Sequence, residues 1–157
     1  MLRLIIVDDE KIIRETISNL IDWNSIGIEV VGLCKNGIEA YDMILDEYPD
    51  IVMSDIKMPG LSGLELIKRI SQTDHDIEFI ILSGYGEFDY AKEAMKYGVK
   101  HYLLKPCNES QIIEVMGEVA EDCYRKRAFQ DFQEKQYNIS TSDYSPIQFT
   151  EFMLDIS

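Results

Sequence analysis

Five residues of this chain have side chains that could together do chemistry: three carboxylates, Asp8, Asp9 and Asp55, the hydroxyl of Ser83 and the ammonium of Lys105. Asp55 stands in the stretch IVMSDIKMPG, residues 51 to 60, where a short apolar run ends in an acid and then breaks at Met58-Pro59-Gly60. Asp8-Asp9, Ser83-Gly84 and Lys105-Pro106 likewise follow apolar runs. Carboxylates a few ångströms apart cannot all stay ionised without compensating charge, because each disfavours ionisation of the others. Lys105 supplies a single positive charge. A hard divalent cation with oxygen ligands is the natural remainder, and Mg²⁺, which keeps several waters and takes one or two carboxylates plus phosphate oxygens, suits a shallow open site. Such a cluster is a magnesium pocket for a phosphoryl group, with Lys105 on one side, Ser83 and backbone amides on another, and Asp55 as the nucleophile. Singly, each residue has a plainer reading. Asp8 and Asp9 suit the cap and first turn of a helix, Asp55 an exposed strand end, Ser83 a turn and Lys105 a solvated charge. The chemical reading rests on their meeting.

The elements that would make them meet are legible in the hydrophobic pattern. Apolar runs at Leu2 to Val7, Ile28 to Leu33, Ile51 to Met53, Phe79 to Leu82 and Tyr102 to Leu104 lack polar alternation, as expected of strands buried on both faces of a parallel sheet. Between them Ile13, Ile17, Leu20 and Ile21 recur at helical spacing, then Ile38, Tyr41, Ile44 and Leu45, then Leu64, Ile67 and Ile70, then Phe88, Ala91 and Met95. Asn36-Gly37, Pro49-Asp50, Pro59-Gly60 and Gly98 punctuate the segments. The alternation predicts an α/β fold: a doubly wound, five-stranded parallel sheet with helices on both faces, in the flavodoxin-like order 2-1-3-4-5. Ligands of such sheets sit beyond the carboxyl ends of the strands near the switch point, and those are the ends that carry the five residues.

Composition narrows the function classes. A chain of 157 residues suits one domain with an extension. No apolar run approaches the roughly 18 residues of a membrane span, and MLRLIIVDDE is too short and lacks the cleavage site of a secretion signal, so a cytoplasmic address is expected. Cys34, Cys107 and Cys123 are odd in number and without metal-ligand spacing, which predicts plain thiols. The net charge of −14 would repel a nucleic-acid backbone, so this segment is not expected to read DNA itself. His75 and His101 fall at no expected pocket edge and are read as packing or surface residues.

With IIVDDE near the start, SDIKMPGLSGLELI around Asp55 and ILSGYGEFDYAKEAMKYGVKHYLLKP at the end, residues 1–124 resemble the receiver domain of bacterial two-component response regulators, a CheY-like fold. The resemblance implies transfer of a phosphoryl group from a sensor histidine kinase to Asp55. It makes Asp9, Asp55 and the backbone carbonyl of Lys57 direct Mg²⁺ ligands and lets Asp8 act through water. It assigns Ser83 to bonding the phosphoryl group, Lys105 to pairing with it, and Tyr102 to a ring that turns inward on activation, and it makes Lys105-Pro106 a cis peptide. A receiver is a phosphoacceptor signalling domain rather than an enzyme, catalysing only its own phosphorylation and dephosphorylation. The text from Ser83 to Pro106 also resembles the YesN-type subgroup, whose members usually carry an AraC-type DNA-binding output domain. Residues 125–157 read as a helical linker extension and tail, with no output domain within this sequence.

Other readings fail on particular residues. An aspartyl phosphatase of the haloacid dehalogenase type needs an acid two residues after its nucleophile, where this chain has Lys57, and a flavodoxin phosphate loop would be repelled by the acidic DDEK. The alternative that survives is a stand-alone phosphorelay carrier without DNA-binding output. Against it stands the stretch after Asn108, an expected helix cap, where Ile112, Val115, Met116, Val119 and Cys123 form a core stripe. Beyond Arg125-Lys126-Arg127 the pattern runs on to Phe129 and Phe132, which no sheet is expected to cover. The face of the fourth helix, fifth strand and fifth helix, with Asp89, Lys92, Glu93, Lys96, Glu114 and Glu118, is the expected surface of a phosphorylation-dependent homodimer.

Overall fold

In the computed structural model, which describes residues 1–141, the elements run β1 (Leu2–Val7), α1 (Lys11–Leu20), a 3₁₀ turn (Trp23–Ile26), β2 (Ile28–Cys34), α2 (Gly37–Glu47), β3 (Ile51–Asp55), α3 (Gly63–Ser71), β4 (Glu78–Ser83), α4 (Phe88–Met95), β5 (His101–Leu104) and α5 (Glu109–Thr141). All strand pairs are parallel, in the order β2-β1-β3-β4-β5 expected from the alternation. The first compact unit is Met1–Ala120, and from Glu121 onward the described residues are the later turns of α5. The expected tail beyond residue 141 lies outside the described residues.

Burial follows position in the sheet. Every residue of β3 and β4 is buried and only Arg3 of β1 is not, whereas the edge strands β2 and β5 are half-exposed, against the expectation of strands covered on both faces throughout. An edge strand has a strand neighbour on one side only, and Glu29, Leu33, Tyr102 and Leu104 reach solvent. One core face gathers Ile5, Val7, Val52, Phe79 and Ile81 from the strands with Ala40 and Ile44 of α2, Leu64, Leu66, Ile67 and Ile70 of α3, and Ala94 of α4. By the period of two, Leu4, Ile6, Met53, Ile80 and Leu82 point to the other face, and all are buried.

The helical stripes need correction at three places. In α4, Phe88 and Met95 are exposed and the buried positions are Ala91 and Ala94. In α2, Ile38 and Leu45 are exposed and Gly37, Ala40 and Ile44 face the sheet, and in α1 Leu20 is exposed while Ile17 is buried. In α2 and α4 a helix lying close on the sheet buries Gly37, Ala40, Ala91 and Ala94 and leaves larger apolar residues at the rim, so size misleads there, whereas in α1 Leu20 falls off the line of the buried Ile17 and Ile21. The stripe of α3 is as expected, and in α5 Ile112, Met116, Val119 and Cys123 are buried, with Val115 half-buried.

Caps fix the helix starts. Asn36 and Ser62 accept hydrogen bonds from the backbone N–H groups of Glu39 and Glu65, 2.8 and 3.1 Å long. Asn108 and Gln111 exchange two reciprocal bonds, each 2.9 Å, at the start of α5. The reassigned face of α4 yields a test. Phe88→Ala and Met95→Ala should each change unfolding free energy by less than about 1 kcal/mol, because little apolar area leaves the core. Ala94→Leu should cost roughly 1–3 kcal/mol by overpacking. Urea unfolding of the three variants checks both halves.

Candidate functional site

The strand order places the C-terminal ends of β1 and β3 side by side, since Val7 pairs with Ser54, and β2 leaves on the far side of β1. Asp8 follows β1 and Asp55 ends β3, both buried, while Asp9 is exposed. One carboxylate oxygen from each of the three lies within 4.8 Å of the others. Lys105, just past β5, reaches across with its ammonium 2.7 Å from Asp8 Oδ2 and 3.2 Å from Asp55 Oδ2. Asp8 and Asp9 are thus not helix caps. Helix α1 starts at Lys11, and the second oxygen of Asp8 accepts a hydrogen bond from the Glu10 N–H, 2.9 Å long.

Ser83 is buried at the end of β4, one residue beyond the Asp55–Leu82 pair, and its carbonyl accepts from the Lys105 N–H at 2.7 Å. The Lys105–Pro106 peptide is cis. Tyr102, on β5 opposite Ile81, is 47% exposed, so its ring is outward in this structure. Lys57 is exposed, with its ammonium 5.8 Å from the centroid of the Tyr90 ring on α4. His75 packs instead against Tyr48, their rings 4.8 Å apart, and His101 lies 3.7 Å from Glu118; neither is part of this cluster. Cys34, Cys107 and Cys123 are free thiols.

Sequence reasoning missed four contributors. The Ser54 hydroxyl, buried, donates to the Asp55 carbonyl at 2.9 Å, and the Arg14 guanidinium donates to the Asp8 carbonyl at 2.7 Å, so the backbones of both acids are tied down. Glu87 accepts from the Gly84 N–H at 3.2 Å and adds negative charge near Asp55, and Glu10 closes the turn on Asp8. Arg14 had a signal: it lies in the first turn of α1, six residues after Asp8.

Electrostatics set the ionisation. Burial pushes the Asp55 carboxyl up from its ordinary 3.8 to about 6; Lys105 pulls it down, and Asp8 and Glu87 push it up again. For Lys105 burial acts downward, but the carboxylates of Asp8 and Asp55 outweigh it and hold the ammonium above its ordinary range.

The sequence pattern of the response regulator receiver domain matches residues 4–117. The chain belongs to the response regulator receiver domain family. This receiver is 52% identical over 126 residues to an uncharacterised transcriptional regulatory protein, YesN, of Bacillus subtilis strain 168, covering 80% of this chain and 34% of that protein. It is 36% identical over 117 residues to the transcriptional regulatory protein HptR of Staphylococcus aureus, covering 74% of this chain and 46% of that one. Among solved structures it resembles the REC domain of AraT, a response regulator from Geobacillus stearothermophilus, at 37% identity and a TM-score of 0.76, covering 80% of this chain and 98% of that one. It also resembles a two component transcriptional regulator AraC from Clostridium phytofermentans, at 30% identity and a TM-score of 0.76, covering 82% and 99% of the two chains. The receiver therefore spans about a third of YesN and under half of HptR. Among the described residues no helix is long and apolar enough to cross a membrane.

The raised Asp55 carboxyl has a consequence for stability. Because its folded pKa lies above its ordinary value, the folded state holds the proton more tightly, and this contribution is full below about pH 4 and lost as pH rises through about 6. A shift of that size corresponds to about 3 kcal/mol as an upper figure. In the absence of divalent cations, Asp55→Asn should therefore leave the melting temperature nearly unchanged at pH 4 and raise it by several degrees at pH 7.5. Thermal unfolding in EDTA at the two pH values checks it.

Proposed function

We propose that this receiver accepts a phosphoryl group from a sensor histidine kinase on Asp55, in a Mg²⁺-dependent reaction, and passes the change to a transcriptional output domain. The observation that carries the reading is the convergence of three carboxylates at the carboxyl edge of the sheet, two of them, Asp8 and Asp55, paired with the Lys105 ammonium. The donor set fits the ion: carboxylate oxygens within 4.8 Å of one another, with Lys105 opposing three acids, leave a negative charge suited to a hard divalent cation. Asp9, Asp55 and the Lys57 carbonyl would hold Mg²⁺ directly and Asp8 through water. Bound there, Mg²⁺ would neutralise charge on the phosphoryl oxygens.

The chain's own groups do the rest. An Asp55 carboxylate oxygen forms a bond to phosphorus as the phosphorus–nitrogen bond of a phosphohistidine donor breaks, its electron pair returning to the imidazole. The product is an acyl phosphate. Lys105, already between Asp8 and Asp55, moves its ammonium onto the phosphoryl oxygens, and the Ser83 hydroxyl turns toward the same group. Burial of Asp55 removes competing water from the nucleophile, and Ser54 holds its backbone. Space vacated by Ser83 lets the Tyr102 ring turn inward from the surface of β5, which converts a local bond into a changed outer face.

That face is less purely charged than the sequence suggests. Glu93 pairs with Lys68 of α3 at 3.0 Å, and Tyr90, Tyr97, Tyr102 and Leu104 are exposed alongside Asp89, Lys92, Lys96, Glu114 and Glu118. We take it as the surface of a phosphorylation-dependent homodimer. The transcriptional-regulator relatives favour an output domain over a stand-alone phosphorelay carrier, and the likeness to a two component transcriptional regulator AraC favours an AraC-type one. DNA contact in this reading belongs to sequence beyond these residues, consistent with the net charge of −14. A cytoplasmic address is part of the same reading.

Acetyl phosphate or a phosphohistidine donor should add one phosphoryl group to the parent protein in Mg²⁺, and none to Asp55→Asn or in EDTA. Intact-mass measurement of the three samples checks this, and labelled Asp55→Asn would remove the reading. Beryllofluoride, which mimics the phosphoryl group, should convert monomer to dimer at protein concentrations on the order of tens of micromolar, more weakly at high salt where charge pairs contribute. Sedimentation velocity decides it, and a monomer throughout would sink the dimer.

A further inference from the structure

Lys57 differs from the other proposed ligands in offering a backbone atom. A side chain adjusts through its rotamers, but a carbonyl oxygen is only as well placed as the loop that carries it. That loop, residues 56–62, is anchored by the buried side chains of Ile56, Met58 and Leu61. Its backbone is held by bonds from the Ile56 N–H to the Leu82 carbonyl and from the Gly63 N–H to the Ile56 carbonyl, each 3.0 Å. Lys57 itself and Gly60 are exposed.

Two glycines from different helices close on this loop. Gly63 opens α3, and a Cβ there would overlap the Asp55 carbonyl oxygen and come within 3.0 Å of Ile56 Cα. Gly37 opens α2, and a Cβ there would overlap the Leu61 carbonyl oxygen and lie 3.0 Å from Leu61 Cβ. In both cases backbone is struck, which cannot rotate away. The other tightly packed glycine, Gly32, meets only the side chain of Met43, and the glycines of positive φ, Gly27, Gly60, Gly86 and Gly98, have nothing within 4 Å. The described glycines that cannot carry a methyl group for want of backbone space are thus the two that bracket the Asp55 loop.

The geometry points to Gly37 and Gly63 as positioning residues that clip the loop between the starts of α2 and α3 and so set the Lys57 carbonyl against the Asp55 carboxylate. This rests on the Mg²⁺ reading above. The helices are the stiffer partners: Asn36 and Ser62 cap them, and Ala40, Ile44, Leu66, Ile67 and Ile70 are buried beneath them. An added methyl group would therefore displace the loop rather than the helix, on the order of 1 Å to restore ordinary contact distances. A ligand displaced that far is out of place for a metal that demands near-ideal octahedral geometry. Gly37, on another helix and remote in sequence from Asp55, would act on the site entirely through Leu61.

The test is calorimetric titration of Mg²⁺ into the full chain, its Gly37→Ala and Gly63→Ala variants, and Leu2→Ala, a destabilised control at the opposite end of β1, with urea unfolding of each. The glycine variants should bind Mg²⁺ about 10–100-fold more weakly, the range seen when groups that orient metal ligands are lost, and Leu2→Ala should stay within about twofold of the parent. Folded glycine variants with parental affinity, or an equal loss in Leu2→Ala, would overturn the proposal. If the glycine variants do not fold, Leu61→Ala, which loosens the same clip without adding an atom, must weaken Mg²⁺ binding; parental affinity there overturns the proposal too. A parent that binds no Mg²⁺ would remove the metal reading and this proposal with it, whereas a binding parent with insensitive variants removes this proposal alone.

Discussion

Lys105 holding two buried carboxylates at once is the interaction on which the arrangement of the site depends. Asp8 and Asp55 are among the few buried charged groups of the receiver, and an unpaired buried charge is costly. At 2.7 and 3.2 Å the ammonium touches both, tying the ends of β1 and β3 to the end of β5 across the four neighbouring strands β1-β3-β4-β5. The compensation is incomplete: burial first, then Asp8 and Glu87, raise the Asp55 carboxyl against the pull of Lys105, and Asp9 adds a third acid beside them. The site is therefore under electrostatic strain that added positive charge relieves, a property that suits the proposed role of Asp55 as acceptor of a phosphoryl group beside a cation.

The same strain explains why the backbone that carries the acids is tied down at several points. The carbonyl of Asp8 is held by Arg14, that of Asp55 by Ser54 and the tight approach of Gly63, and the loop after Asp55 by three buried apolar side chains. Repelling carboxylates would otherwise drift apart, and a parallel sheet with β3 and β4 wholly buried gives them a base that does not yield.

From that rigid centre the receiver grades outward to softer parts. Edge strand β5 is half-exposed, Tyr102 stands outward, and α4 buries only two alanines, so the side of the molecule proposed to carry the signal is only partly covered. Local openings of small free energy are drawn from such regions. Along the later turns of α5, Phe129 and Phe132 are exposed, as the lack of any expected sheet beneath them implied.

Much of this was legible in the one-dimensional pattern. Apolar runs of strand length alternating with helical periodicity determined the fold class, the strand order and the strand ends that bear Asp8, Asp55, Ser83 and Lys105, because hydrophobic periodicity reports directly which surfaces must be buried. The identities of the acids and of Lys105 suggested the kind of ligand now proposed for that edge. What only the tertiary structure decided was contact between residues far apart in the chain. That Lys105 spans two acids, that Arg14 and Ser54 secure their backbones, that Glu87 faces Asp55, and that α4 buries Ala91 and Ala94 in place of Phe88 and Met95 all follow from how closely elements approach. Periodicity tells which face of a helix turns inward, but the distance of approach, and hence the size of the residue that fits and the carbonyl that it touches, exists only once the chain has packed.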